Sequence, residues 1–345
     1  MCRGAPNSPV FNPLPTRLLS IGEEFPTNLH LRHGCNLPRS TKYTTLSHCW
    51  GERGIVTKLS ECNYLSMMEK VIFDDLPKTF RDAIVVSKML GVEYLWIDSL
   101  CIIQDSPSDW QRESSLMSQI YSNSFCNISA TAALDSSQGL FFARDPVTIR
   151  EFIFQTCIDG TRGYFSPCDE GLWMKYVIEA PLNGRAWVCQ ERILSKRNLH
   201  FSRSQIFWEC CEHLACETFP SGFSIQWGDM SLKQDISKFF FACSTKRVSG
   251  GLKLPPNDDT VNWAYQVWEK VVTTFCRGQL TYETDKLVAI GGLATLMNET
   301  LVDVYLAGLW KRHLITQLLW YSCDGYTQTK GPYVAPSWSW AAVRG

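Results

Sequence analysis

Between Tyr43 and Thr131, short apolar runs alternate with stretches whose apolar positions recur at helical spacing. Tyr43 to Ser47, YTTLS, has the character of a strand and stops at His48-Cys49-Trp50-Gly51, a loop-like tetrapeptide. From Thr79 to Leu90, the residues Phe80, Ala83, Ile84, Ser87 and Leu90 mark one face of a helix, and Gly91 supplies its C-terminal stop. Tyr94 to Asp98, YLWID, is mostly apolar, as a strand covered on both faces of a parallel sheet would be. The alternation then repeats: Asp109 is a candidate N-cap for a helix from Trp110 to about Tyr121, and Phe125 to Thr131 reads as the next strand. Strand, helix and strand in this order form βαβ units and predict an α/β layer fold with a mainly parallel sheet.

Elsewhere the pattern is weaker. Residues 1–42, rich in Pro, Asn and Arg, show no period and suggest an extended arm laid over the domain. Strands are expected at Glu151 to Gln155, Asn198 to Ser202 and Ile206 to Cys210, around a helix that opens near Arg185. The stretch from Glu212 to Pro256 carries few periodic signals, and helix returns at Val261 to Phe275 and at about Asp285 to Asn298. The expected organisation is an N-terminal arm (1–42), an α/β core (43–210), an irregular connecting segment (211–256) and a helical C-terminal region packed on the core (257–345).

Composition narrows this picture. The 345 residues are 45% hydrophobic and 19% charged, enough to build a sizeable core and too apolar for a disordered chain. With 33 basic against 34 acidic residues and no long run of one sign, the chain lacks the electrostatic footprint of a partner for nucleic acid or anionic lipid. No apolar run approaches the roughly 20 residues needed to cross a bilayer. The first residues lack the apolar centre of a signal peptide, so most of the 15 cysteines are read as reduced, buried thiols of an intracellular protein. The 13 tryptophans are core anchors in the first instance.

Candidate chemistry lies at two places. Trp187 and Glu191, four residues apart in RAWVCQERILSKRNLHF, share one face of a helix: an indole for stacking beside a carboxylate, or else a core anchor beside an ion pair of Glu191 with Arg185 or Arg192. Ser47, His48, Trp50 and Gly51 follow the carboxyl end of the first strand, where open α/β sheets bind ligands; a satisfied turn is the alternative. Asp98 and Asp105 flank the end of the second strand, available to a ribose or to a helix cap. His48, Cys49 and Cys101 permit a thiol hydrolase only weakly, and the spacing of Cys210, Cys211, His213 and Cys216 matches no common zinc arrangement, so no metal is expected. The glycines of GGLA at Gly291 fall inside a helix, not after a strand, and make no phosphate loop.

Three blocks, YTTLSHCWG at Tyr43, YLWIDSLCIIQD at Tyr94 continuing to MSQIYSNSFCNISATAA, and RAWVCQERILSKRNLHF at Arg185, resemble in order and spacing the fungal heterokaryon incompatibility (HET) domain. DKLVAIGGLA at Asp285, YLAGLWKRHLITQLLW at Tyr305 and YVAPSWSWA at Tyr333 resemble segments that follow that domain, and more chain often follows them, so a short or a truncated member are alternatives. The resemblance implies a cytoplasmic protein of filamentous fungi that takes part in self/non-self recognition and can trigger cell death. The HET domain is in turn remotely similar to the TIR domain, a flavodoxin-like fold of which several members cleave NAD with a helical Glu. That similarity implies a TIR-like parallel sheet flanked by helices, with β-rich insertions. By the same similarity Glu191 is the catalytic carboxylate, and Ser47, His48, Trp50, Gly51, Asp98 and Trp187 are the lining. NAD is then substrate and not cofactor. The alternative is a non-catalytic module that signals by self-association or through a protein partner.

Overall fold

The computed structural model describes residues 14–22, 26, 28–51, 54, 57–158, 160–167, 169, 171–222, 232–244, 258–301, 303–322 and 332–343. In chain order its elements are β1 (Arg17–Ser20), β2 (His30–His33), β3 (Thr44–Ser47), α1 (Tyr64–Glu69), α2 (Lys78–Met89), β4 (Tyr94–Ile97), α3 (Asp98–Cys101), α4 (Pro107–Asn123), β5 (Cys126–Ser129), β6 (Phe154–Ile158) and β7 (Thr161–Phe165). Then come α5 (Ala186–Leu194), β8 (Arg197–Phe201), β9 (Ile206–Cys210), β10 (Leu214–Cys216), α6 (Leu232–Ser244), α7 (Asp258–Cys276), α8 (Lys286–Leu301), β11 (Tyr305–Leu306), β12 (Leu309–Trp310) and α9 (Leu314–Gln317).

Eight strands form one sheet in the order β10-β9-β8-β5-β3-β4-β1-β2. Its centre is parallel: β3 pairs with β4 on one side and with β5 on the other, and β5 pairs with β8. The outer pairings, β1 with β4 and β2, and β9 with β8 and β10, are antiparallel. The sheet is therefore mixed, not mainly parallel, because antiparallel strands at both edges extend a parallel centre built by helical crossovers. From β3 the chain first crosses to β4 and then returns past β3 to β5, so the strand order reverses at β3.

Period-two alternation along β3 sends successive side chains to opposite faces. The hydroxyl of Tyr43 donates to the carbonyl of Ile120 on α4 at 2.7 Å, whereas the Thr44 hydroxyl meets the Ser87 hydroxyl on α2 at 2.7 Å. Helices thus cover both faces, and every residue of β3 is buried. This explains why YTTLS carries threonines with no apolar alternation: each hydroxyl has a partner inside the fold.

Two expectations on the N-terminal side change. Residues 17–33, expected within an arm, supply β1 and β2, and Leu18 and Leu19 are fully buried. RLLS and HLRH, set among prolines, carry no local signal that bounds them as strands. Asp109 is not an N-cap; α4 starts at Pro107 after Ser106, and buried Asp109 binds Arg17 of β1, Arg112 and the Ile103 N–H. Proline suits the first helical position because its missing N–H is unpaired there in any helix. The Arg17 guanidinium, also hydrogen-bonded to the Cys101 carbonyl at 2.7 Å, draws the carboxylate inward.

Residues 211–256, expected to be irregular, contain β10 and α6; the rest of their poorly periodic part, 223–231 and 245–256, lies outside the described residues. The expected strand near Glu151 is β6, paired with β7 in a separate two-stranded ribbon. The C-terminal motifs lock onto one another: the carbonyl of Gly308 accepts from the indoles of both Trp268 and Trp340 at 3.0 Å, and Ser339 donates to the Ala307 carbonyl at 2.5 Å. Ala307 and Gly308 both have positive φ, 45° and 102°, in the turn joining β11 and β12.

Helix α8 packs on α4 and α5, and GGLA explains how. The Gly292 N–H donates to Gln190 Oε1 at 2.8 Å, and a Cβ there would lie 2.3 Å from the Ser118 Cβ. Gly291, beside it, has nothing within 4 Å. Gly292→Ala is therefore expected to cost about 1–3 kcal/mol by forcing the helices apart, and Gly291→Ala to gain up to about 1 kcal/mol of helix propensity. Urea unfolding of both variants measures this, and equal effects of one sign would refute it.

Candidate functional site

The reversal point at β3 is where an open α/β sheet offers a crevice at its strand ends. Ser47 closes β3, Asp98 follows β4 as the first residue of α3, and Glu191 stands on α5, which covers the face that Ser47 looks toward. The Ser47 hydroxyl donates to Glu191 Oε2 at 2.5 Å, a contact between residues 144 positions apart. Tyr121, at the end of α4, hydrogen-bonds the same carboxylate. Around this pair, Trp50 donates its indole N–H to Asp98 Oδ2 at 3.0 Å, His48 Nδ1 lies 3.8 Å from Asp98 Oδ1, and Arg185 donates to the His48 carbonyl. Glu191 is 3% exposed while the Asp98 side chain is 19% exposed, so Asp98 with half-buried Trp50 and Arg185 forms the accessible side of the group.

Burial governs the electrostatics. It pushes the Glu191 carboxyl above the usual carboxylate range, opposed by the positive charge of Arg185 and by the hydrogen bonds from Ser47 and Tyr121, and reinforced by Asp98. His48, wholly enclosed, is pushed down to about 4 and is neutral at pH 7; Asp98 opposes the shift and Arg185 adds to it. Its ring meets Phe80 of α2 edge-on at 5.0 Å. The Cys49 thiol is pushed up by burial and packs with Leu182 and Val188, and the Cys101 thiol is pushed up to about 12. Neither thiol has the electropositive, open setting that makes a nucleophile.

The structure brings together five of the expected residues: Ser47, His48, Trp50, Asp98 and Glu191. Trp187 is half-buried and packs against the main apolar core, the anchor role open to it from the start. Gly51 has φ of 77°, and a Cβ there would sit 2.6 Å from the Asp135 Cβ, so it serves the turn. Asp105 is exposed and accepts the Glu61 N–H at 2.9 Å, away from the group around Glu191. The ion pair considered for Arg192 goes to Glu209 instead, at 2.8 Å. Sequence reasoning did not place Tyr121 or Asn127 at the site. Tyr121 looks like one more apolar helix position, and Asn127 interrupts the apolar FCNISAT strand, a signal that pointed to a buried polar role.

Asn127 in fact centres a buried polar seam. Its amide oxygen accepts from Thr45 at 2.9 Å, and its amide nitrogen reaches Ser47 at 3.0 Å, Ser129 at 3.2 Å and Asn198 Oδ1 at 3.1 Å. Asn198 continues to Glu209 Oε2 at 3.1 Å, and Glu209 is held by Arg192 Nη2 and Nε at 2.8 and 2.9 Å and by His200 at 3.2 Å. Glu209 is consequently held well below the usual carboxylate range despite its burial.

Among the described residues no group of three or more His, Cys, Asp and Glu is disposed to hold a metal ion, and no helix is long and apolar enough to cross a membrane. No curated protein and no solved structure matches the chain. The family model described as heterokaryon incompatibility protein (HET) matches residues 43–191, an interval that opens at β3 and closes on Glu191. The segment that builds the Ser47–Glu191 group is therefore the one that is similar to the heterokaryon incompatibility (HET) family.

Proposed function

We propose that this HET domain acts as a cell-death effector in self/non-self recognition by hydrolysing NAD. Water adds across the N-glycosidic bond: the C1′–N bond breaks with its electron pair leaving on neutral nicotinamide, water oxygen bonds to C1′, and one proton goes to solvent. Positive charge develops on the ribose, and a carboxylate beside it stabilises that charge. Glu191 is that carboxylate, oriented by the hydroxyls of Ser47 and Tyr121; Asp98 faces the ribose hydroxyls and Trp50 offers a flat surface to a ring. The observation that carries the reading is the Ser47–Glu191 contact at the sheet's reversal point. Ser47 at the end of β3, Asp98 directly after β4 and the helical Trp187-x-x-x-Glu191 also support a TIR-like relationship.

A second reading, signalling by self-association, is favoured by the exposed apolar side chains of the β6–β7 region: Phe152 and Phe154 stack at 5.9 Å between ring centroids, with Ile153 and Tyr164 open to solvent. One experiment separates the two. Purified protein, tested also at high concentration with a crowding agent, is expected to convert NAD to nicotinamide and ADP-ribose, and Glu191→Ala to lose about 100-fold or more of that rate while keeping its fold. NAD left intact by a protein that remains toxic in cells, with toxicity retained by Glu191→Ala, overturns catalysis in favour of the module.

A further inference from the structure

We propose that Asn127 is a positioning residue for the candidate site: its amide turns the Ser47 hydroxyl so that the single hydroxyl proton goes to Glu191. Donors and acceptors of this seam must satisfy one another, since Ser47, Asn127, Asn198, Glu191 and Glu209 are all at most 3% exposed. Asn198 sets the direction. Its amide nitrogen lies 2.9 Å from the Arg192 carbonyl and 3.1 Å from Glu209 Oε2, two groups that only accept, so its oxygen must face Asn127. The Asn127 nitrogen therefore faces Asn198, and its oxygen faces the Thr45 hydroxyl at 2.9 Å.

An amide nitrogen has two protons. One goes to Asn198, and the other is directed at Ser47 Oγ at 3.0 Å, with Ser129 Oγ a longer 3.2 Å away. Ser47 then accepts from Asn127 and has one proton left. Glu191 Oε2 at 2.5 Å, Asn127 Oδ1 at 3.2 Å and the Tyr121 hydroxyl oxygen compete for it, and the shortest bond, to a carboxylate, wins, leaving the Tyr121 hydroxyl to donate. Asn127 so converts a hydroxyl that could rotate into a fixed donor, and through Asn198 that orientation is anchored to the ion pair that Arg192, the next residue of α5 after Glu191, makes with Glu209. The inference concerns Glu191 whatever Glu191 does; its catalytic consequence rests on the glycohydrolase reading.

The measurement is the titration of the Glu191 carboxyl by carbon-13 NMR of glutamate-labelled full chain, its signal assigned by loss in Glu191→Gln. Charged and titratable groups facing Glu191 are Arg185 before α5, Asp98 of α3, Tyr121 of α4 and Cys49 after β3, all left unchanged. Removing a donor from a carboxylate raises its midpoint, so Ser47→Ala and Asn127→Leu are each expected to raise it by about one unit. The double variant is expected to move it no further than Ser47→Ala alone, because Asn127 acts through Ser47. Asn127→Ala makes the same prediction with less bulk, should leucine prevent folding. A wild-type midpoint in a folded Asn127 variant, or shifts that add in the double variant, overturns the proposal. The titration is read without NAD, so a wild-type protein that leaves NAD intact refutes the glycohydrolase reading alone. Where NAD is cleaved, the acid limb of the rate profile is expected to move to higher pH by the same amount in Asn127→Leu.

Discussion

Glu209→Ala is expected to lower stability by about 3–5 kcal/mol, read as a fall in the urea midpoint at unchanged slope. The reason lies in what the substitution leaves behind. Glu209 is 1% exposed and is the carboxylate that Arg192 grips through Nε and Nη2, while Asn198 and His200 each aim a nitrogen at Oε2. Lys233, also buried, donates to the carbonyls of Arg192 and Ser195 beside it, and its ammonium gains from the same negative charge. Without Glu209 two buried cations lose their counterion, and an uncompensated buried charge costs far more than the pair contributes. A loss below about 1 kcal/mol would mean that Arg192, whose side chain is 12% exposed, simply turns to water.

Acidification is expected to destabilise the fold well above the carboxylate range. His48 takes its proton near 6.5 when unfolded but only at about 4 inside the fold, and His200 is lowered in the same direction by burial. Between these values the unfolded chain binds more protons, so stability present above pH 6.5 is lost as pH falls toward 4, on the order of 3 kcal/mol from His48 alone. Below 4.5 the depressed Glu209 adds a further loss. Glu191 acts with the opposite sign, because its raised pKa lets the folded state bind a proton first as pH falls. Urea unfolding at a series of pH values tests this: a flat profile from pH 6.5 to 4.5 would refute it, and His48→Gln is expected to remove much of the slope.

Much of the centre of the fold was legible in local pattern. YTTLS and YLWID became β3 and β4, IFWEC became β9, and the periodic segments became α2, α4, α7 and α8 within a few residues. Each of these is long, strongly apolar or bounded by a clear stop. β1 and β2, four residues each and among prolines, have no such signal; their place follows from pairing with β4 and from the Arg17 contact with Asp109. The site was legible in part for the same reason. Ser47, His48, Trp50 and Asp98 sit just after strands whose ends could be read, whereas Trp187 and Gly51 went to packing and to a turn.

The sequence by itself determined the α/β alternation, the ordered motifs that resemble the HET family and a helix carrying Trp187 and Glu191, because period, propensity and spacing are relations between near neighbours in the chain. Only the tertiary structure decided that the sheet has antiparallel flanks, that Glu191 faces Ser47 while Arg192 faces Glu209, and that Asn127 links the two carboxylates. Those outcomes join residues as far as 144 positions apart, and which buried donor meets which acceptor is set only when packing excludes water and every polar group must find a partner.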